Sequence, residues 1–177
     1  MTRVPDALTK DLLCQAELGR LLRSFTTAGV VETLLLKGAS YRGREYAPGE
    51  RQAEDIDLLV RPRDFRKAQH TLRQAGYTVR LRGEAHALRD GPVPFRIDLH
   101  DRLYPDSEDG LWERAEPLSV AGAQALRLSP PDAFAYALWH GTIRHAAVSE
   151  RLLEDLSRIA TGGGAVEEGN AFWPSAL

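Results

Sequence analysis

A short stretch with two acidic residues limits the fold of this chain more than any other feature. Asp55 and Asp57 flank one apolar residue, and three more apolar residues follow, ending at Val60. This run predicts a β-strand that is entered from a polar loop. Because side chains alternate along a strand, both carboxylates point to the same face, about 6–7 Å apart. Like charges this close disfavour joint ionisation unless a cation compensates them, so the pair predicts a site for a divalent metal such as Mg²⁺.

A second predicted strand supplies a third carboxylate. Residues 95–100 alternate between apolar side chains, which face the core, and polar side chains on the opposite face: Arg96, Asp98 and His100. If this strand lies beside the first, Asp98 joins Asp55 and Asp57. Three carboxylates can hold two divalent cations about 3.5–4 Å apart, which activates an attacking oxygen and stabilises a leaving phosphate oxygen.

Each part of this pattern also has an ordinary structural explanation. An Asp-x-Asp pair before a strand is common without a metal, and an alternating strand often carries an acid on its solvent-facing side. Taken by themselves, the residues therefore leave two interpretations open: a two-metal site, or acids that only solvate the edge of a sheet.

Composition limits the partners. The net charge of −2 gives no overall attraction to nucleic acid or to anionic membranes, although the basic segment at residues 61–82 keeps a nucleic-acid partner open. Cys14 is the only cysteine and cannot form an internal disulfide. No run reaches the roughly 18 apolar residues of a membrane span, and the N-terminus lacks the apolar core of a signal peptide. The expected protein is cytoplasmic, with one domain and no membrane partner.

Hydrophobic periodicity and turn residues predict an α+β domain. The predicted helices cover residues 6–28, 39–46, 62–75, about 15 residues from Pro130, and 149–159. The predicted strands cover residues 30–36, 55–60, 77–81, 86–88, 93–99, 118–120 and 125–128. Turn signals at Asp90-Gly91 and at Gly122 predict two hairpins among the later strands.

Four segments together form a pattern that is more specific than the acids alone. They are Leu34-Leu35-Leu36-Lys37-Gly38, Asp55-Ile56-Asp57-Leu58-Leu59-Val60, Gly76-Tyr77 and Ile97-Asp98-Leu99-His100. This pattern resembles the DNA polymerase β-like nucleotidyltransferase superfamily, and more narrowly a bacterial family of uncharacterised nucleotidyltransferases. The resemblance covers about residues 8–160. It implies a mixed sheet with helices packed on it over residues 1–128 and a short C-terminal helical segment over 129–160. Residues 161–177 contain three consecutive glycines and little periodicity, so they are expected to form a mobile tail.

The resemblance also implies a reaction: transfer of a nucleoside monophosphate from a nucleoside triphosphate to a hydroxyl acceptor, with release of pyrophosphate. Asp55 and Asp57 would be the paired metal ligands. Asp98 would be the third ligand and the group that deprotonates the acceptor. Two Mg²⁺ ions are expected, with Mn²⁺ as an alternative.

The loop after the first strand departs from the superfamily's usual Gly-Ser, since it reads Lys37-Gly38-Ala39-Ser40. Gly38 offers close backbone approach to a phosphate, Ser40 stands one residue away from the missing serine, and Lys37 could contact the triphosphate. Arg51, ahead of the acidic strand, is a further candidate to bind the triphosphate. The altered loop leaves a second function open: a nucleotide-binding or partner-binding module on the same fold that does not catalyse.

Overall fold

Helices and strands alternate along the part of the chain that the computed structural model describes, residues 6–51, 55–82, 84–90, 94–103, 110–144 and 148–162. The helices are α1 (Ala7–Thr27), α2 (Lys37–Ser40), α3 (Phe65–Gln74), α4 (Leu111–Arg114), α5 (Pro130–Trp139) and α6 (Glu150–Thr161). The strands are β1 (Thr33–Leu36), β2 (Ile56–Val60), β3 (Thr78–Arg82), β4 (Glu84–Arg89), β5 (Phe95–His100), β6 (Glu116–Val120) and β7 (Ala123–Arg127). A 3₁₀ turn (Pro62–Asp64) precedes α3, and a π-helical turn (His140–Arg144) follows α5.

These strands form one mixed sheet in the order β3-β4-β5-β2-β1-β7-β6. Strand β2 lies antiparallel to β1 and parallel to β5. The parallel pair needs a long connection, which α3 and the hairpin of β3 and β4 provide. The acidic strand β2 is therefore an interior strand of the sheet, with a neighbour on each side.

The sheet separates two hydrophobic cores. On one face α1 and α3 pack against the sheet, where Phe25 and Leu72 join Leu58 of β2. On the opposite face α4, α5 and α6 pack over β1 and β2, where Tyr136 joins Leu59. We call this second face the site face. All five residues of β2 are buried, because the strand contributes to both cores.

The predicted α+β fold and both predicted hairpins are confirmed. Polar side chains begin the long helices at the expected places. The Asp6 carboxylate accepts a hydrogen bond of 2.7 Å from the Thr9 N–H at the start of α1. The Ser149 hydroxyl oxygen accepts one of 3.1 Å from the Leu152 N–H at the start of α6. These caps satisfy backbone donors that have no partner within the helix.

Several boundaries differ from the prediction. Strand β1 begins at Thr33 instead of residue 30, because the Val30 N–H closes the turn that ends α1 by donating to the Phe25 carbonyl. The helix predicted over residues 39–46 is only α2, after which hydrogen bonds to the Tyr41 carbonyl form a turn. The sequence did not predict α4. After Trp139 the α-helical hydrogen bonding of α5 changes to the π-helical turn.

The C-terminal helices lie on the sheet. Tyr136 of α5 and Ile159 of α6 belong to the same core as Leu34 of β1, and the predicted division at residue 128 stays a prediction. The predicted tail lies outside the described residues, except for Thr161 and Gly162 at the end of α6. None of the helices in the described ranges is long and apolar enough to cross a membrane.

Gly19 lies where α1 crosses the turn between β6 and β7. A Cβ atom at Gly19 would lie 2.7 Å from the Cβ of Ala121 and 2.9 Å from the carbonyl oxygen of Val120. We expect Gly19→Ala to lower the free energy of unfolding by about 1–3 kcal/mol, because the packed turn must move. Urea denaturation followed by circular dichroism measures this change. Ala16→Gly, at an exposed position of α1, calibrates helix propensity, and a stability gain for Gly19→Ala would contradict the close packing.

Candidate active site

Three polar residues form a row across neighbouring strands on the site face. Asp57 of β2 lies opposite Asp98 of β5 in the parallel pair. Asp98 in turn lies opposite His86 of β4 in the antiparallel pair. Adjacent strands are about 4.8 Å apart, so the three side chains are near neighbours. We call His86, Asp98 and Asp57 the polar row. The expectation that the two acidic strands are neighbours is confirmed.

Asp57 is a buried carboxylate that is held by two other side chains. It is 2% exposed, and its Oδ1 atom lies 2.7 Å from Nζ of Lys37 and 3.3 Å from Nε2 of His100. Burial acts to raise the pKa of Asp57, but the hydrogen bond with His100 and the Lys37 ammonium outweigh it. The pKa therefore lies below its usual value, and Asp57 is ionised at neutral pH.

Asp55 lies just before β2, and its pKa is shifted in the opposite direction to that of Asp57. Burial raises its pKa, and the negative charge of Asp57 raises it further. Asp98 adds to this effect, while Lys37 and Arg96 oppose it only in part. The pKa shift shows that the three acids predicted from the sequence lie close enough to interact. Together they create a local excess of negative charge.

The loop after β1 positions Lys37. Its backbone φ of 47° lies in the left-handed region, which a residue with a side chain seldom adopts and which stores of order 1 kcal/mol of strain. The Ser40 hydroxyl is buried and donates a hydrogen bond of 2.7 Å to the Lys37 carbonyl. Ser40 thus stabilises the loop, and Gly38 lies beside Lys37 in α2. The predicted contacts of Lys37, Gly38 and Ser40 with a triphosphate stay predictions.

Asp98 has a partner that the sequence analysis missed. Nδ1 of His86 lies 2.7 Å from Oδ1 of Asp98. The His86 ring is 42% exposed, so the pair lies at the solvent-facing edge of the site. The turn signal at Asp90-Gly91 did not reveal this contact, because a two-residue turn there would pair position 86 with position 95, whereas β4 and β5 pair position 86 with position 98.

Arg51 lies on the other side of Lys37 from the polar row and is engaged in a different contact. Its guanidinium forms two hydrogen bonds of 2.7 Å with the two carboxylate oxygens of Asp155 on α6. The Tyr46 hydroxyl donates to the same carboxylate at 2.7 Å. These bonds attach the segment before β2 to the C-terminal helix. The structure thus gives Arg51 a stabilising role, and contact with a triphosphate stays a prediction.

The acids suit a hard divalent cation in type, but two of them already contact other side chains. Carboxylate oxygens are the ligands that Mg²⁺ and Mn²⁺ prefer, and the raised pKa of Asp55 reflects burial together with the charges of Asp57 and Asp98. Among the described residues, however, no three His, Cys, Asp or Glu side chains converge as metal ligands. Asp57 faces Lys37, and Asp98 faces His86. A cation bound here by all three acids would have to compete with Lys37 for Asp57.

A cavity of about 230 Å³ opens beside Lys37, on the side away from Asp98. It lies between the Lys37 loop and the C-terminal helices, and the ring of Tyr41, the side chain of Leu152 and the Arg51–Asp155 pair line it. The polar row therefore has this cavity at one end and the exposed His86 at the other.

Comparisons with known proteins identify the family of the chain and its fold. The model of a family described as "Uncharacterised nucleotidyltransferase" matches residues 3–162. No curated protein matches the chain. The crystal structure of ANT(2″)-Ia in complex with adenylyl-2″-tobramycin is similar, with a TM-score of 0.60, 13% identity, and coverage of 83% of this chain and 87% of that chain.

Two further solved structures share the fold. The solution structure of the antibiotic-resistance factor ANT(2″)-Ia has a TM-score of 0.61 and 12% identity, covering 85% of this chain and 84% of that one. The lincomycin-bound lincosamide antibiotic adenylyltransferase LnuA has a TM-score of 0.56 and 15% identity, covering 81% of this chain and 94% of that one. The fold is that of the polymerase β-like nucleotidyltransferases. The chain belongs to the family of uncharacterised nucleotidyltransferases whose model matches it.

The opposite pKa shifts of Asp55 and Asp57 predict opposite effects on stability. With EDTA present at pH 7, we expect Asp55→Asn to raise the free energy of unfolding by about 0.5–1 kcal/mol, since it removes an unfavourable charge. Asp57→Asn should lower it by about 1–3 kcal/mol, since it removes a charged acceptor from Lys37 and His100. Urea denaturation at pH 7 and near pH 4 measures both effects.

The pH dependence follows from the direction of each shift. The raised pKa of Asp55 means that its ionisation destabilises the fold at neutral pH, so the Asp55→Asn gain disappears as the carboxyl is protonated in acid. The lowered pKa of Asp57 means that its stabilisation is complete above the unfolded pKa and disappears as the pH falls through the folded pKa. Equal effects of the two variants at pH 7 would contradict this electrostatic account.

Proposed function

We propose that this protein transfers a nucleoside monophosphate from a nucleoside triphosphate to a hydroxyl group, with release of pyrophosphate. The observation that carries the proposal is the clustering of Asp55, Asp57 and Asp98 on the site face of a nucleotidyltransferase fold. Burial and the charges of Asp57 and Asp98 raise the pKa of Asp55, so its ionisation destabilises the fold, and a binding site for cations explains why the acids lie together.

The acids would have distinct roles. Asp55, Asp57 and Asp98 would hold Mg²⁺, or Mn²⁺ in its place, and the bound ions would supply positive charge to the triphosphate and the attacking oxygen. Asp98 would accept the proton of the acceptor hydroxyl, whose oxygen forms a bond to the α-phosphorus. The bond from that phosphorus to the bridging oxygen breaks, and pyrophosphate leaves with the electron pair. His86, hydrogen-bonded to Asp98, would orient this carboxylate.

Lys37 would bind the triphosphate. Its ammonium is already fixed beside Asp57, at the mouth of the cavity between its loop and α6. When a triphosphate binds, the ammonium would exchange Asp57 for a phosphate oxygen, and the nucleoside would occupy the cavity. Gly38, next along the loop, would allow the phosphates to approach the backbone.

Asp55→Asn tests the function without loss of the fold. We expect this variant to lose Mg²⁺-dependent pyrophosphate release by at least about 100-fold, the range typical of groups that stabilise charge during reaction. The assay supplies labelled nucleoside triphosphates, Mg²⁺ and a protein-free extract of small metabolites as the source of acceptors. Because Asp55→Asn is expected to fold at least as stably as the original chain, lost activity would reflect lost chemistry.

Glu113→Gln is the matched control, since it neutralises an exposed acid of α4 outside the polar row. It should retain full activity. Unchanged turnover by Asp55→Asn and by Asp57→Asn would rule out the proposed role of the acids.

Lys37→Met tests whether a lysine and a divalent cation compete for Asp57. The methionine keeps the length of the side chain but removes the charge, so we expect the variant to bind Mn²⁺ about tenfold more tightly, a change of about 1.4 kcal/mol. Electron paramagnetic resonance of free Mn²⁺ measures the affinity without any turnover. Lys67→Met is the control, because Nζ of Lys67 lies 3.2 Å from Oδ1 of Asp64, an ion pair outside the polar row. Weaker Mn²⁺ binding by Lys37→Met would contradict the competition.

The Lys37–Asp57 pair also favours a second candidate function, a module that binds a nucleotide without catalysis. In this case the ammonium would stay on Asp57 and neutralise the site permanently. Calorimetry with each triphosphate and Mg²⁺, followed by the pyrophosphate assay, separates the two functions. Nucleotide binding without pyrophosphate release by the original chain and by Lys37→Met would favour the module.

A further inference from the structure

An open groove begins at the His86 end of the polar row and reaches Asp98. It has a volume of about 450 Å³ and lies on the exposed site-face surface of β3, β4 and β5. Asp98 and His86 form its inner end, and Arg80, Leu88, Asp90 and Arg96 line the rest. The groove therefore opens directly onto the carboxylate that would deprotonate an acceptor hydroxyl.

Strand register fixes where the two arginines stand relative to that carboxylate. Arg80 lies opposite His86 on β3, and His86 lies opposite Asp98, so Arg80 extends the polar row by one strand. Two strand spacings separate Arg80 from Asp98, about 10 Å. Arg96 lies two residues before Asp98 on β5, about 7 Å along the same face. The backbone positions of both arginines thus lie at set distances from that of the proposed base.

Carboxylates hold several arginines of this protein: Arg61 has Glu32, Arg51 has Asp155 and Arg114 has Asp132 as ion-pair partners. Arg80 and Arg96 are exposed and line the groove without a direct ion pair to a described carboxylate, although the charge of Arg96 acts on Asp55. Two acids, Asp90 and Asp98, line the groove with these arginines.

Resting on the proposed nucleotidyl transfer, we propose that the acceptor is a small hydroxyl compound that carries a phosphate or carboxylate group. Arg80 and Arg96 bind this anionic group, and the hydroxyl that reacts lies at Asp98, roughly 7–10 Å away. A guanidinium presents a fork of N–H donors that matches both kinds of oxyanion. Leu88, between Thr78 and Arg96 in the strand register, supplies an apolar floor for the carbon skeleton.

The triphosphate is expected to bind outside this groove. Lys37 and the cavity beside it lie across Asp57 from the groove, since β1 and β5 flank β2 on opposite sides. A triphosphate bound at Lys37 leaves the groove open on the Asp98 side. The two ends of the polar row then hold the two substrates, with the acids between them.

The proposed acceptor also differs in charge from the ligand of a similar solved structure. ANT(2″)-Ia was solved with adenylyl-2″-tobramycin, and tobramycin carries several amino groups that are protonated at neutral pH. Arg80 and Arg96 would repel such a polyamine, although Asp90 and Asp98 in the same lining would attract it. Binding at the two arginines therefore predicts an acceptor of opposite charge on a shared fold.

Four hexoses of similar shape test the proposal by binding, without any requirement for turnover. They are glucose 6-phosphate, glucuronate, glucose and glucosamine, and ligand-observed NMR with the full chain measures their affinities. We expect glucose 6-phosphate and glucuronate to bind at least tenfold more tightly than glucose, and glucosamine to bind most weakly. Their ranking distinguishes phosphate from carboxylate as the preferred anion.

Arg80→Gln combined with Arg96→Gln should remove the preference for the anionic sugars and leave the affinity for nucleoside triphosphate unchanged. The matched control combines Arg66→Gln with Arg73→Gln, two exposed arginines of α3 on the opposite side of the sheet. This control should keep the preference.

Three results would overturn the proposal. Equal affinity for glucose and for the two anionic sugars would show that the groove holds no anion site. Loss of triphosphate affinity in the Arg80/Arg96 variant would assign these arginines to the nucleotide. Binding of a single-stranded oligonucleotide, but of neither anionic sugar, would assign the groove to nucleic acid. A preference for anionic sugars without pyrophosphate release in the presence of any acceptor would have a different meaning. It would support the anion site in the groove but contradict the proposed nucleotidyl transfer.

Discussion

A charged group in an interior strand is the constraint on which this structure depends. Asp57 lies in β2, between β1 and β5, and is 2% exposed. A carboxylate at such a depth destabilises a fold unless positive charge and hydrogen bonds compensate it. Lys37, directly after β1, and His100 of β5 supply both. The backbone of Lys37, whose ammonium contacts Asp57, lies in the strained left-handed region.

The same constraint connects stability with activity. Asp55 is placed where burial and two other acids oppose its ionisation, so the fold would be more stable without its charge. Strain at Lys37 and repulsion at Asp55 occur side by side. Glu17, a buried acid elsewhere, instead accepts hydrogen bonds from Arg20 and Tyr77. Strain next to an unfavourable charge is typical of a functional site.

The two ends of the polar row differ in how far helices cover the sheet. On the β1 side, α5 and α6 cover the sheet, and the Arg51–Asp155 pair holds them against the segment before β2. On the β5 side, Arg80 and Arg96 stand on an exposed strand surface. A covered, partly apolar cavity suits a nucleoside, whereas the two exposed arginines of the open groove suit the anionic group of the proposed acceptor. The reacting groups would meet between them, at Asp98 and Asp57.

The sequence by itself determined the α+β elements, both hairpins and the face on which Asp55, Asp57 and Asp98 lie, because strand alternation and turn residues are local properties. It also indicated the family. Contacts between residues far apart in sequence were decided by the tertiary structure: the Arg51–Asp155 pair joins positions 104 residues apart, and Lys37 and Asp57 are 20 apart. The Arg80–His86–Asp98 alignment needed the register of three strands. Local patterns predict which way a side chain points, but the partner it meets depends on which strands and helices become neighbours.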